Sequence, residues 1–258
     1  MASKKIIRRD HIVQLVQERG SVSVSPLAEI LGVSTQTIRR DLEILCENHE
    51  LRRVHGRIEL SPELLNTPFD QRAGTNVRGK KSIANVVAGM IPSGSTVFLS
   101  IGSTPLEVAR ALLCRQELNV ITNNLGVAMV LSEEASNRIL LPGGELRLPD
   151  RDFIGEGSVS FFEKFRAEFA IFGVAGIAED GGLLDFHPAE VRARQQMLRN
   201  AQTSILVLDQ SKFGRMAPAF GGTLNDVDRV VIDRPPEAPF LQLLEPLGDI
   251  IEYAETHR

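Results

Sequence analysis

The 258-residue chain has almost no cysteine: Cys46 and Cys114 stand alone, in neither a C-x-x-C nor a metal-ligand spacing. That excludes a disulfide scaffold and makes a reduced, cytoplasmic setting the expectation. No apolar run approaches the roughly 18 residues that a membrane span needs. The N-terminus, Met1 to Asp10, carries basic residues but lacks the apolar stretch of a secretory leader. Internal repeats and low-complexity tracts are missing, as are HExxH, a Cys/His cluster and a P-loop. Neither a metal nor a nucleoside triphosphate is therefore expected, and no cofactor.

What is present is an ordinary globular composition, 43% hydrophobic and 24% charged. The length suggests about two domains. A net charge of −4 hides an asymmetry: residues 1–60 hold 10 Lys/Arg against 8 Asp/Glu, whereas the other 198 hold 19 against 25. Opposite signs in two segments fit two different partners.

Residues 1–60 carry helical spacing in three trios: Ile12, Leu15 and Val16; Leu27, Ile30 and Leu31; Ile38, Leu42 and Leu45. Ser25-Pro26 reads as the N-cap and first position of a second helix. Gly32-Val33-Ser34 makes a turn, with Ser34 capping a third. Arg52 to Ile58 then reads as an extended stretch with a Gly turn, suited to a small β-wing. Residues 61–79, with Pro62, Pro68, Gly74 and Gly79, read as a linker. From residue 80 to 258 short apolar runs alternate with helical patterns. The runs are Thr96–Ile101, Val120–Thr122, Ile139–Leu141, Phe169–Val174, Ser204–Leu208 and Arg229–Ile232. Such alternation implies an α/β domain with a largely parallel sheet covered on both faces.

In the third helix, counting about 100° per residue from Ile38, Leu42 falls near 40° and Leu45 near −20°. Gln36 and Arg40 then point directly away from that stripe, flanked by Thr37 and Arg39. Such a face can enter a major groove, where Arg bonds guanine bidentately and Gln bonds adenine. Thr35, Thr37 and the free N–H groups behind Ser34 suit phosphates. A solvated face of an ordinary amphipathic helix is the plain alternative. The preceding helix, the Gly turn and the basic stretch that follows weigh against it.

Arg9 to Gly56 resembles the winged helix-turn-helix of the DeoR family. Its hallmark Val-Ser-x-x-Thr-Ile-Arg-Arg-Asp-Leu stands here as Val33 to Leu42. Arg53-Val54-His55-Gly56 is similar to the family's wing. The resemblance implies that Ser34, Thr35, Gln36, Thr37, Arg39, Arg40, Arg52, Arg53 and His55 meet double-stranded operator DNA. A two-fold operator would require a homo-oligomer, dimer or tetramer.

A second set of residues suits an anion. Thr96–Ile101 leads into Gly102-Ser103-Thr104-Pro105 and a helix, whose N-terminus offers N–H donors and partial positive charge. A second strand ends at Thr122-Asn123-Asn124, and a third at Leu141-Pro142-Gly143-Gly144. In a parallel sheet these ends gather where α/β ligands bind. Lys212, in Ser211-Lys212-Phe213-Gly214, could neutralise a phosphate or be simply a surface lysine. These loops also resemble the DeoR-family effector domain, Rossmann-like and related in fold to ribose-5-phosphate isomerase. The implied effector site is Gly102, Ser103, Thr104, Thr122, Asn123, Gly143, Gly144 and Lys212. Asn66-Thr67-Pro68, Ile154-Gly155-Glu156 and Glu190-Val191-Arg192 are similar to family members that govern glycerol catabolism. That likeness implies a repressor released by glycerol 3-phosphate or a related sugar phosphate.

An isomerase would need a positioned acid or base. The Asp-Gly-x-Asp-Glu and Lys-Gly-Gly-Gly segments of the related isomerases are missing. Glu179-Asp180-Gly181-Gly182 reads as a turn, and His187 before Pro188 as a loop or helix-start residue. A regulator rather than an enzyme is expected.

Overall fold

A computed structural model describes residues 4–254 apart from 20, 49, 55, 62–68 and 149. The chain divides into two compact units, 1–67 and 68–258.

The first unit runs α1 (Lys4–Arg19), β1 (Ser21–Val22), α2 (Val24–Leu31), α3 (Thr35–Glu47), β2 (Leu51–Val54) and β3 (Arg57–Leu60). The strands form a sheet in the order β1-β3-β2, antiparallel throughout. Eight of the nine residues in the apolar trios are buried or packed against one core, joined by Val22, Leu51, Ile58 and Leu60; Ile30 is exposed. Helix α2 starts earlier than expected, at Val24 after Ser23. Pro26 is thus its third residue, still inside the turn whose N–H groups have no helical partner. Gly32 closes α2 at φ 63°, a left-handed conformation that costs glycine least.

The second unit begins with α4 (Phe69–Gly74) and α5 (Val77–Met90). The linker expected over 61–79 therefore overreaches: residues 69–79 are folded into this unit, with Phe69 and Gly79 buried. Next come β4 (Thr96–Leu99), α6 (Ser103–Ala111), β5 (Asn119–Thr122), α7 (Leu125–Leu131), β6 (Arg138–Leu140), β7 (Leu146–Arg147) and β8 (Asp152–Phe153). They are followed by α8 (Glu156–Glu163), β9 (Ala167–Phe172), β10 (Gly176–Ile177), β11 (Gly182–Asp185), α9 (Pro188–Arg199) and β12 (Ala201–Leu208). The unit ends with β13 (Ala219–Thr223), β14 (Arg229–Ile232), α10 (Phe240–Leu244) and β15 (Ile251–Tyr253).

The main sheet has seven strands in the order β15-β14-β12-β9-β4-β5-β6, every neighbouring pair parallel. Strand residues alternate between two cores. Val97, Leu99 and Val120 pack with Ile83, Val87 and Leu106, whereas Phe98 and Ile121 pack with Val159, Phe162 and Met197. Burial on both faces is the expected signature of a parallel sheet in an α/β unit. The chain leaves β4 toward β5 and β6, then returns to β4's other side as β9. That reversal places a switch point between β4 and β9, where open α/β sheets bind ligands. A separate sheet, β10-β11-β13, and the hairpin β7-β8 complete the unit.

Candidate DNA-reading and effector sites

In α3 the Ser34 hydroxyl accepts a hydrogen bond from the Thr37 N–H at 3.2 Å and lies 2.9 Å from the Thr37 hydroxyl. The expected cap is present. Ile38, Leu42 and Leu45 are buried, while Thr35, Gln36, Arg39 and Arg40 are exposed. Among the described residues, no hydrogen bond or ion pair occupies the side chains of Gln36, Arg39 or Arg40.

Asp41 lies beside the apolar stripe and is 2% exposed. Arg8 Nε donates to Asp41 Oδ2 at 2.6 Å, and Arg9 Nε to Oδ1 at 3.1 Å. Two arginines of α1 thus hold the recognition helix through one carboxylate. The pairing spans 32 and 33 residues of sequence, beyond the reach of local spacing.

On the wing, Val54 pairs with Arg57 across the β2–β3 ladder. Gly56 in the connection has φ 78°. His55 lies outside the described residues. The basic side chains differ in what they do. Arg57 donates to the Ser21 hydroxyl at 2.8 Å and to the Ser21 carbonyl at 2.9 Å, tying β3 to β1. Arg52 pairs with Glu59 at 3.1 Å. Arg53 is exposed and touches the half-buried Cys46, whose thiol pKa burial raises and Arg53 partly restores.

In the second unit, α6 begins at Ser103, inside the small-residue loop expected to precede it. Its cap, Gly102, has φ 126°, outside the range of ordinary side chains. Leu106 N–H bonds back to Gly102 O at 3.1 Å. Ser103 and Thr104 are the first two residues of α6, so their N–H groups have no helical partner, and Pro105 has no N–H at all. Thr122 is completely buried, its hydroxyl accepting from Asn124 N–H at 3.0 Å. Asn123 Nδ2 donates to Phe153 O at 2.9 Å, while its Oδ1 is buried with no partner. Asn124 caps α7 through Oδ1, accepting from Val127 N–H at 3.1 Å.

Lys212 follows the end of β12, in a 3-10 turn capped by Asp209. Burial, with Arg215 nearby, pushes its pKa down to about 8; Asp209 opposes that, while Arg72 and Lys80 reinforce it. It is therefore a half-buried ammonium amid other cations, which an arriving anion would relieve. The parallel order puts the ends of β4, β5, β6 and β12 along one edge. Gly143 and Gly144 lie there too, but are exposed, with open space around them.

One ionic group lay beyond sequence reasoning. Arg147 donates through Nε and Nη2 to Asp152 at 2.9 and 2.8 Å, and through Nη2 to Glu190 at 2.6 Å. Burial opposes its charge, but these carboxylates hold its pKa above the ordinary value. Burial raises the Glu190 pKa to about 7 against the pull of Arg147. Arg194, fully buried, donates to Asp185 Oδ2 at 2.8 Å. The only sequence signal was the Glu190-Val191-Arg192 resemblance, which assigned no partner. His187 stands at the N-cap of α9, and Asp180 accepts from Gly182 N–H within a turn, as expected.

An exposed Gln/Arg helix face in one unit, and strand ends gathering anion-ready groups in the other, define a ligand-sensing DNA-binding regulator. The model of the DeoR-like helix-turn-helix domain matches residues 8–63, and that of the DeoR C terminal sensor domain residues 75–234. The chain belongs to the DeoR family and is a transcriptional repressor. It is 44% identical over 241 residues to the glycerol-3-phosphate regulon repressor of Escherichia coli K12, covering 93% of this chain and 96% of that one. The transcriptional repressor CsqR of the same bacterium is 37% identical over 92% of this chain and 91% of its own. The repressor AccR of Agrobacterium fabrum is 33% identical over 88% of each. A ribose-5-phosphate isomerase in complex with phospho-erythronic acid aligns at TM-score 0.39 and 15% identity, over 53% of this chain and 54% of that one. A likeness this distant carries no chemistry across.

Proposed function

We propose that this repressor governs genes of glycerol or glycerol-3-phosphate catabolism and leaves its operator when glycerol 3-phosphate binds the sensor unit. The observation that carries the reading is the 44% identity to a glycerol-3-phosphate regulon repressor, sustained over 93% of the chain. The geometry is compatible with it. The free N–H groups of Ser103 and Thr104 at the start of α6, with the Lys212 ammonium, suit a phosphate. Asn123 stands at the neighbouring strand end, beside the buried Thr122. Gly143 and Gly144 border the same edge.

On DNA, Gln36 and Arg40 read bases, while Ser34, Thr35, Thr37 and Arg39 meet the backbone. Arg52, Arg53 and His55 add the wing's phosphate contacts. A homo-oligomer, dimer or tetramer, spans the two-fold operator in the cytoplasm. Release requires that the effector bind the DNA-free conformation more tightly, since equal affinity for both shifts nothing. The chain catalyses nothing in this scheme.

The test is titration of the full-length protein on its own upstream DNA, with glycerol 3-phosphate, glycerol and a panel of sugar phosphates. Release by glycerol 3-phosphate and not by glycerol is expected. Release by a different sugar phosphate alone would reassign the effector, and isomerase turnover would overturn the regulator-only reading.

A further inference from the structure

The hairpin β7–β8 joins two parts of the sensor unit. It is stitched to the loop after β5: Phe153 N–H donates to Asn123 O at 2.8 Å, and Leu125 N–H to Arg151 O at 2.9 Å. At that junction Arg147 Nη1 and Asn123 Oδ1, a donor and an acceptor, are both buried without partners. Buried polar atoms are seldom left so, and unsatisfied ones call for an explanation.

The far end of the hairpin grips α4. Arg72 donates to Asp150, and Arg151 Nη2 to Asp70 at 3.0 Å. The guanidinium groups of Arg72 and Arg151 lie 5.7 and 5.8 Å from the centre of the Phe69 ring. Lys80, buried at 2% exposure, donates from Nζ to the Arg72 and Thr75 carbonyls at the end of α4. Arg151 has φ 55°, a left-handed conformation that a non-glycine residue keeps only when its surroundings enforce it. Helix α4 is also the first described element after the chain leaves the winged helix.

We infer that this hairpin couples the effector site to the DNA-binding unit: Arg147 takes a hydroxyl of the effector, and Asp150 and Arg151 pass the hairpin's position to α4. The inference rests on the effector reading above. Both atoms are closed off from solvent, so an effector hydroxyl that bonds Arg147 Nη1 or Asn123 Oδ1 must displace the hairpin as it enters. A phosphate would meet Asp150, Asp152 and Glu190 around the same guanidinium, so it belongs at Lys212 instead. The effector class is thus a phosphate that also carries hydroxyls.

The measurement is the factor by which saturating glycerol 3-phosphate weakens operator binding by the full-length chain. Operator affinity without effector, and glycerol 3-phosphate affinity without DNA, are measured beside it. The variants are Asp150→Asn, Asp70→Arg, Arg151→Asp and the last two combined. Asp70 and Arg151 are both exposed, so their substitution costs little folding stability. Aspartate also tolerates the left-handed conformation at 151 better than most residues.

The expected result is a factor cut roughly fivefold by Asp150→Asn and about twofold by each single swap, with operator affinity retained in all and glycerol 3-phosphate affinity retained in the swaps. The double swap, which restores opposite charges, should return it. An unchanged factor in all four variants, or a double swap that stays as impaired as the singles, overturns the coupling. Failure of the unaltered chain to bind glycerol 3-phosphate sinks the effector reading first, and this inference with it.

Discussion

The two units use their charged residues in opposite ways. In the winged helix the proposed readers, Gln36 and Arg40, are exposed and one helical turn apart. In the sensor unit, Arg147 and Asp152 of the β7–β8 hairpin meet Glu190 from α9, and all three are largely shielded from water. DNA is larger than the domain that reads it, so one rigid surface can present all its contacts. A small metabolite must be surrounded, so its proposed site is assembled where several strands end. Surface readers cost little to change, whereas the enclosed charges are held by one another.

The sharpest way to break this comparison is Lys212→Ala. It should lower affinity for a phosphorylated effector by about 1.5–3 kcal/mol, the worth of a hydrogen bond to a charged group. Operator binding should remain normal, giving a super-repressor; calorimetry and operator titration check the two halves. Normal induction would mean that the phosphate lies elsewhere. Arg40→Ala should do the reverse, costing roughly 1–3 kcal/mol on operator DNA and relaxing preference at one base position, with effector binding intact. A selection of bound sequences reads this directly, and an unaltered preference would remove Arg40 from the readers.

Asp41→Asn tests the one place where the DNA unit resembles the sensor unit, with a buried carboxylate between cations. Denaturant unfolding of the full chain should show a loss of about 1–2 kcal/mol in the N-terminal transition, since Arg8 and Arg9 can still reach water. An unchanged transition would mean that the clamp adds nothing to stability.

A pH titration of effector binding sharpens the contrast further. Lys212 is protonated below its pKa of about 8 and neutral above it, so a phosphate loses its ammonium partner as pH rises through that value. Below about 6 the phosphate itself takes up a proton. Affinity should therefore peak between these limits, and Lys212→Ala should flatten only the alkaline limb. The smallest effect belongs to Arg53→Ala, which should weaken all DNA sequences alike and reduce the salt slope by about one. A loss confined to one operator at unchanged slope would argue for a base contact.

How far each unit was legible follows from the range of its interactions. Ile38, Leu42 and Leu45 share a face by local spacing alone, so periodicity locates the stripe and, by opposition, Gln36 and Arg40. The start of α2 was misread because proline is tolerated in a first turn beyond its first position, and Ser23 makes no side-chain cap that would mark the boundary. Strand runs were found to within a few residues because both faces of the parallel sheet are apolar. The pieces β7, β8, β10 and β15 span two or three residues each, too short for any period to register. Residues 69–79 read as linker because their anchors, Phe69 against Arg151 and Arg72 against Asp150, lie far off in sequence.

By itself, then, the sequence determined the division of labour: a basic helix-turn-helix whose backbone periodicity forces Gln36 and Arg40 outward, and an α/β unit whose strands end in small, polar loops. Only the tertiary structure decided which charges meet. Arg57 braces Ser21, Arg8 and Arg9 hold Asp41, and Arg147 joins Asp152 to Glu190. The physical reason is that helix and strand geometry are local, set by 3.6- and 2-residue periods. The pairing of buried charges is not: it depends on which distant segments the packed sheet brings together, and burial makes an unpaired charge too costly to leave.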